Sequence, residues 1–411
     1  MINRIPLSEQ KTYSLFTVCN LAYLPKALVL AESILKYNGI KLKIYLFDKK
    51  RSLGEFNIQA DVFWLEEMNI PNFYQLAFKY DIIEFSTSLK PFLTLSLLES
   101  FEKVIFLDPD TCLYNSVTPI LQDLDNHSIV LTPHYTTPQA ANLEESDLGM
   151  MRFGSFNLGF YAVSRSEEGK AFLNWWHQRC VDLCFMESQF GMSTDQKWVT
   201  IAPCLFKDLF VSFNLGYNFA PWNSWERHLS KNEDNVYLIN NEYPLIFFHF
   251  SNFDKEDPQY LNKRSGYEKG INRPDLLELG LEYKKLLTSK NLEIKPVSYC
   301  YDYMTGGEYI SPTLRRAYAC IIDELPVNHN PFDSLGVVGN FARKNHLFEK
   351  NNSPYKRDGF SEVTNNANKL KLIYFLMKLV LRFVGPNKFQ NLSRLLVYLS
   401  SYRQNRGLWK Y

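Results

Sequence analysis

Two carboxylates one residue apart, Asp108 and Asp110, close the stretch Lys103-Val104-Ile105-Phe106-Leu107-Asp108-Pro109-Asp110-Thr111. Such a pair suits a divalent cation that keeps coordination positions open for the oxygens of a diphosphate. The residues before it are mostly β-branched, aromatic or aliphatic and read as a short buried strand. Pro109 blocks further ladder bonding beyond that strand. In an open α/β sheet, ligands collect in the crevice outside the strand C-termini, which is where these acids fall. The bland alternative is an Asp-Pro-Asp turn, since both residue types are common in turns. His249 closes a second apolar strand, Pro244 to Phe250, and a neutral imidazole beside two carboxylates makes a third metal ligand. A histidine there can equally be a satisfied core residue. Mn²⁺ or Mg²⁺ suits an oxygen-rich site with one imidazole. Asp195 and Gln196 follow Ser193-Thr194, where a hydroxyl can cap a new helix and an acid also suits the helix dipole.

These residues need a scaffold, and the pattern supplies one. Tyr13 to Val18 reads as a strand, Leu24 to Tyr37 as a helix with Pro25 in its first turn and Asn38-Gly39 at its end, and Leu42 to Phe47 as a second strand. This β-α-β rhythm predicts the nucleotide-binding half of a doubly wound sheet. The connection Cys19 to Tyr23 lies at the C-terminal end of the first strand, where a base or ribose could rest. Neither G-x-G-x-x-G nor G-x-x-x-x-G-K-[ST] occurs, which disfavours a dinucleotide site and a P-loop. Ser86-Thr87-Ser88 predicts the start of a helix running to Ser100, with Lys90 in position to approach a nucleotide or its phosphates. Helices are expected over Val117 to Leu124 and Glu167 to Met186, a strand over Ser128 to Thr132, and a flexible polar loop over Thr136 to Gly149. Gly154 to Val163 reads as a polar turn entering a strand.

The chain has 411 residues, 46% apolar and 22% charged, which is enough for two or three compact units around a large core. Aromatics reach 15%, a figure that suits ligand stacking and a dense core equally. A net charge of +1 argues against a nucleic-acid-binding protein. Met1 to Gln10 contains no apolar signal-peptide core, and no apolar run approaches the roughly 18–20 residues of a spanning helix. The seven cysteines are scattered and odd in number, which predicts reduced thiols and a cytoplasmic protein.

The α/β rhythm weakens after Asp254. Tyr299 to Ser311 predicts a hairpin around Thr305-Gly306-Gly307-Glu308, Pro312 to Glu324 a helix, and Asn351 to Asn368 a linker. No acidic residue follows Glu362, whereas nine Lys and Arg do, separated by apolar blocks and a Gly385-Pro386 break. That composition predicts a pair of interfacial helices over residues 369–411, drawn to anionic lipid at the inner face of the plasma membrane. Helices packed on the core with a basic outer face are the alternative.

Taken together these segments resemble the GT-A glycosyltransferases, and more closely the retaining family that includes glycogenin and the bacterial lipopolysaccharide galactosyl- and glucosyltransferases. The similarity spans roughly residues 13–255, with the matching motifs in the family's order. It implies a Rossmann-like α/β fold with a mostly parallel central sheet flanked by helices, followed by a C-terminal α+β extension and a basic amphipathic helical tail. It also implies a catalytic domain over 1–255, an accessory region over 256–363 and a tail over 364–411. By the same resemblance Thr17, Asn20, Tyr23 and Lys90 surround the donor nucleotide, and Asp108, Asp110 and His249 hold the metal. Asn157, in Phe156-Asn157-Leu158-Gly159, lies beside the acceptor, while Asp195 and Gln196 flank the reacting anomeric carbon. Trp222 and Asn223, with Gly216-Tyr217-Asn218 and Arg227, look like acceptor-side residues of bacterial polysaccharide enzymes. The implied activity is transfer of a hexose from a UDP-sugar to a glycan or lipid-linked acceptor in bacterial surface polysaccharide synthesis. The chain departs from the family after His249, where Ser251-Asn252-Phe253-Asp254 replaces the usual Gly and later basic residue, and neither Lys255 nor Lys263 can be matched to that cation. Two other readings remain: a sugar-phosphate nucleotidyltransferase, which usually carries a Gly-rich basic loop that Cys19 to Pro25 lacks, and a catalytically inactive carbohydrate-binding protein.

Overall fold

A computed structural model of the protein describes residues 12–52, 59–138, 147–253, 256, 273–290, 299–350, 352, 354, 366–401 and 406–409. The chain divides into two compact units, Met1–Pro71 with Ile82–Tyr299, and Asn72–Asp81 with Cys300–Tyr411.

The first unit begins β1 (Tyr13–Cys19), α1 (Leu24–Asn38), β2 (Leu42–Leu46) and β3 (Ala60–Trp64). After α2 (Phe73–Lys79), which belongs to the second unit, come α3 (Ile82–Ser88), α4 (Lys90–Leu98), β4 (Lys103–Leu107), β5 (Thr111–Leu113), α5 (Thr118–Asn126) and β6 (Ile129–Pro133). Then follow α6 (Asp147–Phe153), β7 (Phe156–Ser164), α7 (Glu167–Leu183), the short pair β8 (Met186–Glu187) and β9 (Met192–Ser193), α8 (Gln196–Val199) and β10 (Leu209–Val211). A small sheet of β11 (Leu229–Lys231), β12 (Tyr237–Ile239) and β13 (Tyr243–Pro244) precedes β14 (Phe247–His249) and α9 (Pro274–Ser289).

The main sheet has seven strands in the order β10-β6-β7-β4-β1-β2-β3. β7 is antiparallel to both β4 and β6, and every other neighbouring pair is parallel. The chain leaves β1 for β2 and β3 on one side, then returns to the other side of β1 as β4. This reversal places a ligand crevice at the C-terminal ends of β1 and β4. Helix α1 covers one face because Leu24, Ala27, Leu28, Ala31 and Ile34 recur at helical spacing and are all buried. It ends where Gly39 turns left-handed at φ 60° and donates its N–H to the Leu35 carbonyl. On the opposite side of the strands a chain of rings runs Phe16, Phe106, Tyr161, Trp176, Phe172, with centroids 5.0–5.5 Å apart. Much of the aromatic content is therefore core.

Several expected boundaries move. Ser86, Thr87 and Ser88 do not begin a helix but lie in the last turn of α3, their hydroxyls donating to the carbonyls of Ile83, Glu84 and Phe85. The polar stretch expected as a loop ends in helix α6, with residues 139–146 outside those described. Pro244 to Phe250 divides into β13 and β14. The first unit also runs past residue 255 to Tyr299. Helix α9 is the reason, since Tyr283 stacks on Phe250 at 3.7 Å and Leu276 and Leu279 join the same cluster.

The second unit contains α10 (Pro312–Ile321) and α11 (Val337–Lys344), and α10 carries Arg315, which is 2% exposed. Its guanidinium donates to the carbonyls of Ala77, Phe78, Tyr80 and Tyr301 and pairs with Asp302 at 2.8 Å. The expected hairpin is a tight turn closed by a single antiparallel bridge, Tyr303 to Tyr309. The expected linker lies almost entirely outside the described residues. Beyond it the helices Ala367–Val384 and Pro386–Leu399 meet at Gly385, and neither buries any residue. Among the described residues no helix is long and apolar enough to cross a membrane.

Candidate active site

Strand β4 delivers Asp108 and Asp110 to the crevice, and the backbone turns there because Thr111 N–H and Oγ1 both donate to the Asp108 carbonyl. The antiparallel pair β5–β14 sets His249 opposite Thr111 and thereby beside the acids. Its Nε2 lies 3.2 Å from Asp110 Oδ1 and 3.8 Å from Asp108 Oδ2. The candidate ligand atoms of all three residues fall within 4.8 Å of one another. Two carboxylates and one imidazole in that space fit a hard or borderline divalent cation with positions left over for oxygen ligands. Gly159 has a direct reason here, since a Cβ on it would lie 2.4 Å from His249 Cε1.

The imidazole is oriented from behind. Asn218, in the left-handed region at φ 49°, directs Oδ1 to His249 Nδ1 at 3.3 Å. Its amide nitrogen is already committed to Asn157 Oδ1 at 3.0 Å and Thr132 Oγ1 at 3.2 Å. His249 therefore carries its proton on Nδ1, and the Nε2 lone pair faces the carboxylates. The Trp222 ring stands edge-on to His249 at 5.1 Å, and its buried indole N–H makes no hydrogen bond among the described residues. His134 sits behind Asn157, its pKa lowered to about 4 by burial.

Lys90, 5% exposed, is the second organising group. Its Nζ lies 3.3 Å from Asp195 Oδ2 and 3.5 Å from Asp108 Oδ1, and it donates to the Leu158 carbonyl at 2.9 Å. Burial opposes its charge, yet the two carboxylates outweigh that and raise its pKa. Asp195 is pushed up by burial, with Lys90 pulling the other way. Thr194 donates to Asp195 Oδ1 at 3.0 Å, and Trp176 Nε1 donates to the Asp195 carbonyl at 3.1 Å. Neither Ser193 nor Thr194 caps α8, because Asp195 occupies the cap position without a side-chain bond. Gln196 is held between the Phe153 carbonyl and the Leu158 N–H.

At the end of β1, Asn20 Oδ1 accepts from Tyr23 N–H at 3.2 Å and fixes a single 3₁₀ turn, in which Tyr23 is 41% exposed. Thr17 is fully buried inside β1, its hydroxyl without a hydrogen-bond partner among the described residues. Lys26, which the sequence did not single out, places its Nζ 3.7 Å from Asp110 Oδ2. Burial works against the Asp110 charge, but His249 and Lys26 outweigh it and hold the carboxyl below its ordinary value.

Asn223 and Arg227 differ from expectation. Asn223 is completely buried, accepting from Ala220 N–H and donating to the carbonyls of His134 and Asn218, so its amide braces the loop instead of facing the cleft. Arg227, 1% exposed, is spent on the carbonyls of Leu215 and Tyr217. Lys255 and Lys263 lie outside the described residues.

The fold and site define an open α/β protein with two carboxylates and an imidazole gathered at the switch point of its sheet, in a space that could hold a metal ion. No family model matches the chain. Two Bacillus subtilis (strain 168) proteins are similar to it, the uncharacterized proteins YfnD and YfnF. YfnD is 28% identical over 194 residues, covering 46% of this chain and 60% of YfnD, and YfnF is 26% identical over 176 residues, covering 42% and 58%. The chain thus spans less than two thirds of the length of these curated relatives. Among solved structures, the galactosyltransferase LgtC in complex with donor and acceptor sugar analogs is similar, with 15% identity and a TM-score of 0.42 over 69% of this chain and 97% of that one. The glycosyltransferase GlyE of Streptococcus pneumoniae TIGR4 is similar at 17% identity and a TM-score of 0.40, over 70% of this chain and 66% of that one.

Proposed function

We propose that this chain is a metal-dependent glycosyltransferase of the GT-A type. It moves a hexose from a nucleoside diphosphate sugar, in the first instance a UDP-sugar, to a hydroxyl of a glycan or lipid-linked acceptor in bacterial surface polysaccharide synthesis. The observation that carries this reading is the Asp108, Asp110 and His249 cluster at the sheet's switch point, joined through Lys90 to Asp195.

Asp108, Asp110 and His249 would hold Mn²⁺ or Mg²⁺, which when bound supplies Lewis-acid stabilisation of a departing diphosphate. The exposed Tyr23 ring offers a stacking face for the base, beside the turn that Asn20 fixes. Asp195 presents a negative charge where the sugar carbon becomes electron-poor, Gln196 flanks the same carbon, and Asn157 borders the acceptor side. Asp195 Oδ1 accepts from Thr194, and the buried Oδ2, which makes no hydrogen bond among the described residues, is ion-paired with Lys90 at 3.3 Å. That suits an electrostatic role better than a proton-accepting one. It supports configuration-retaining transfer, in which the departing phosphate takes the acceptor's proton.

The chain is further proposed to work in the cytoplasm at the inner face of the plasma membrane. None of the seven cysteines is in a disulfide, and the tail combines exposed apolar side chains with basic ones and no acid.

A donor screen tests the central reading. Purified protein with Mn²⁺ is mixed with a panel of nucleotide sugars and followed by melting temperature and donor hydrolysis. One donor should raise the melting temperature and be slowly hydrolysed, because a ligand bound to the folded state stabilises it by mass action. No shift with any donor, or formation of a nucleotide sugar from a nucleoside triphosphate and a sugar phosphate, would overturn it.

A further inference from the structure

We infer that Lys26 supplies the cationic contact to the donor's diphosphate, an assignment that rests on the glycosyltransferase reading above. The site needs such a group. A nucleoside diphosphate carries two or three negative charges, whereas the metal cluster brings two carboxylates that a divalent cation only balances. Positive charge beyond the metal must come from side chains.

Among the described residues three basic groups face the cluster, and two of them are committed. Lys90 is buried, paired with Asp108 and Asp195, and hydrogen-bonded to the Leu158 carbonyl. His249 is fixed between Asn218 and the carboxylates. Lys26 is different. It lies in the first turn of α1, behind Leu24 and Pro25, and its side chain is 20% exposed. Among the described residues its ammonium makes no hydrogen bond. It rests 4.4 Å over the Tyr23 ring and 3.7 Å from Asp110 Oδ2, an ion-pair distance too long for a hydrogen bond. All three donors of that ammonium therefore remain available.

Its position links the two halves of a nucleotide. One neighbour is the Tyr23 ring at the end of β1, and the other is the Asp110 carboxylate beyond β4. A ligand with its base on Tyr23 and its phosphate oxygens at the cluster must pass Lys26. Once a divalent cation balances Asp108 and Asp110, the pull of Asp110 on Lys26 is relieved and the charge is left for the phosphates. The positive end of α1 adds to the same field. This placement also supplies the cation that the sequence after His249 does not provide in a recognisable form.

The test separates this assignment from the reading beneath it. Full-length protein saturated with Mn²⁺ is titrated calorimetrically with UDP, GDP, ADP, CDP and TDP, then with the nucleoside of the best ligand. Lys26→Met keeps an unbranched apolar side chain and removes the charge. It should weaken the diphosphate about tenfold, as expected for loss of a charge-assisted hydrogen bond. It should leave the nucleoside and Mn²⁺ itself within about twofold, and Lys26→Arg should restore most of the loss. Unchanged diphosphate affinity in Lys26→Met, or an equal loss for the nucleoside, overturns the role of Lys26 while the glycosyltransferase reading stands. If the unaltered protein binds none of the diphosphates, both fall together.

Discussion

Asn218 Oδ1 lies 3.3 Å from His249 Nδ1, and this contact decides which imidazole nitrogen faces Asp108 and Asp110. The two residues come from separate segments, one a left-handed turn and the other the end of β14. Asn218→Leu keeps approximate volume but removes the acceptor that fixes the tautomer. Loss of such an outer partner typically costs about 10–100-fold in metal affinity. Calorimetric titration with Mn²⁺ should show a loss in that range, with the melting temperature of the metal-free protein as the control for a general folding defect.

Asp108→Asn and Asp110→Asn should each abolish Mn²⁺-dependent transfer and leave the fold intact. Both acids lie at a strand end, outside the apolar clusters. His249→Ala should also weaken metal binding, with some loss of stability because the ring is 4% exposed. Retention of Mn²⁺-dependent activity in both aspartate variants is the result that would refute the metal assignment.

Asp195→Asn and Gln196→Ala should lower turnover by about 10²–10³-fold, the usual effect of removing a group that stabilises developing charge. Donor affinity should change far less, because an interaction made mainly in the transition state leaves ground-state binding intact. Parallel single-turnover and equilibrium binding measurements check this. A variant that only weakens donor binding would assign that residue to the ground state.

His134 gives a pH signature. Its ordinary value is 6.5, and burial lowers it to about 4 in the folded protein. Between those values the unfolded chain holds the extra proton, so folding stability rises with pH through the window and levels off above about 6.5. The separation corresponds to at most about 3 kcal/mol, and to less here because the ring is only partly covered. Denaturation midpoints of the unaltered protein and His134→Gln, compared at several pH values across the window, should show a shallower slope in the variant.

Local pattern carried much of the fold. Periodicity in Tyr13 to Phe47 suffices for β1, α1 and β2, and Asp108 and Asp110 fall at the end of a strand that composition alone makes visible. The relationships that turn these pieces into a site are non-local. The insertion of β4 between β1 and β7, and the reversal of β7, depend on pairings that no single segment encodes. His249 is ambiguous in sequence because only the β5–β14 register brings it to Asp110. Lys26 escaped notice since a lysine in the first turn of a helix is ordinary until a carboxylate is found beside it. Asn223 erred the other way, a polar residue in an aromatic loop whose amide is consumed by backbone.

The tail gives the last prediction. Apolar side chains that normally seek cover are open along both helices, Phe383 at 87% and Leu396 at 60% exposure, while Lys371, Lys378 and Arg382 form one stripe at helical spacing. Neither helix can span a bilayer. An anionic lipid surface satisfies both features, since each Lys or Arg near it contributes about 1 kcal/mol and inserted apolar side chains add to that. Protein truncated after Asn368 should therefore be more soluble and stop co-sedimenting with phosphatidylglycerol vesicles at low salt, whereas the full chain should sediment and be released as salt rises. Donor binding should survive truncation, because the metal cluster and Lys26 lie wholly within the first unit. Full-length protein that ignores the vesicles but elutes as a dimer, with the truncated chain monomeric, would assign the exposed helices to self-association and refute membrane attachment.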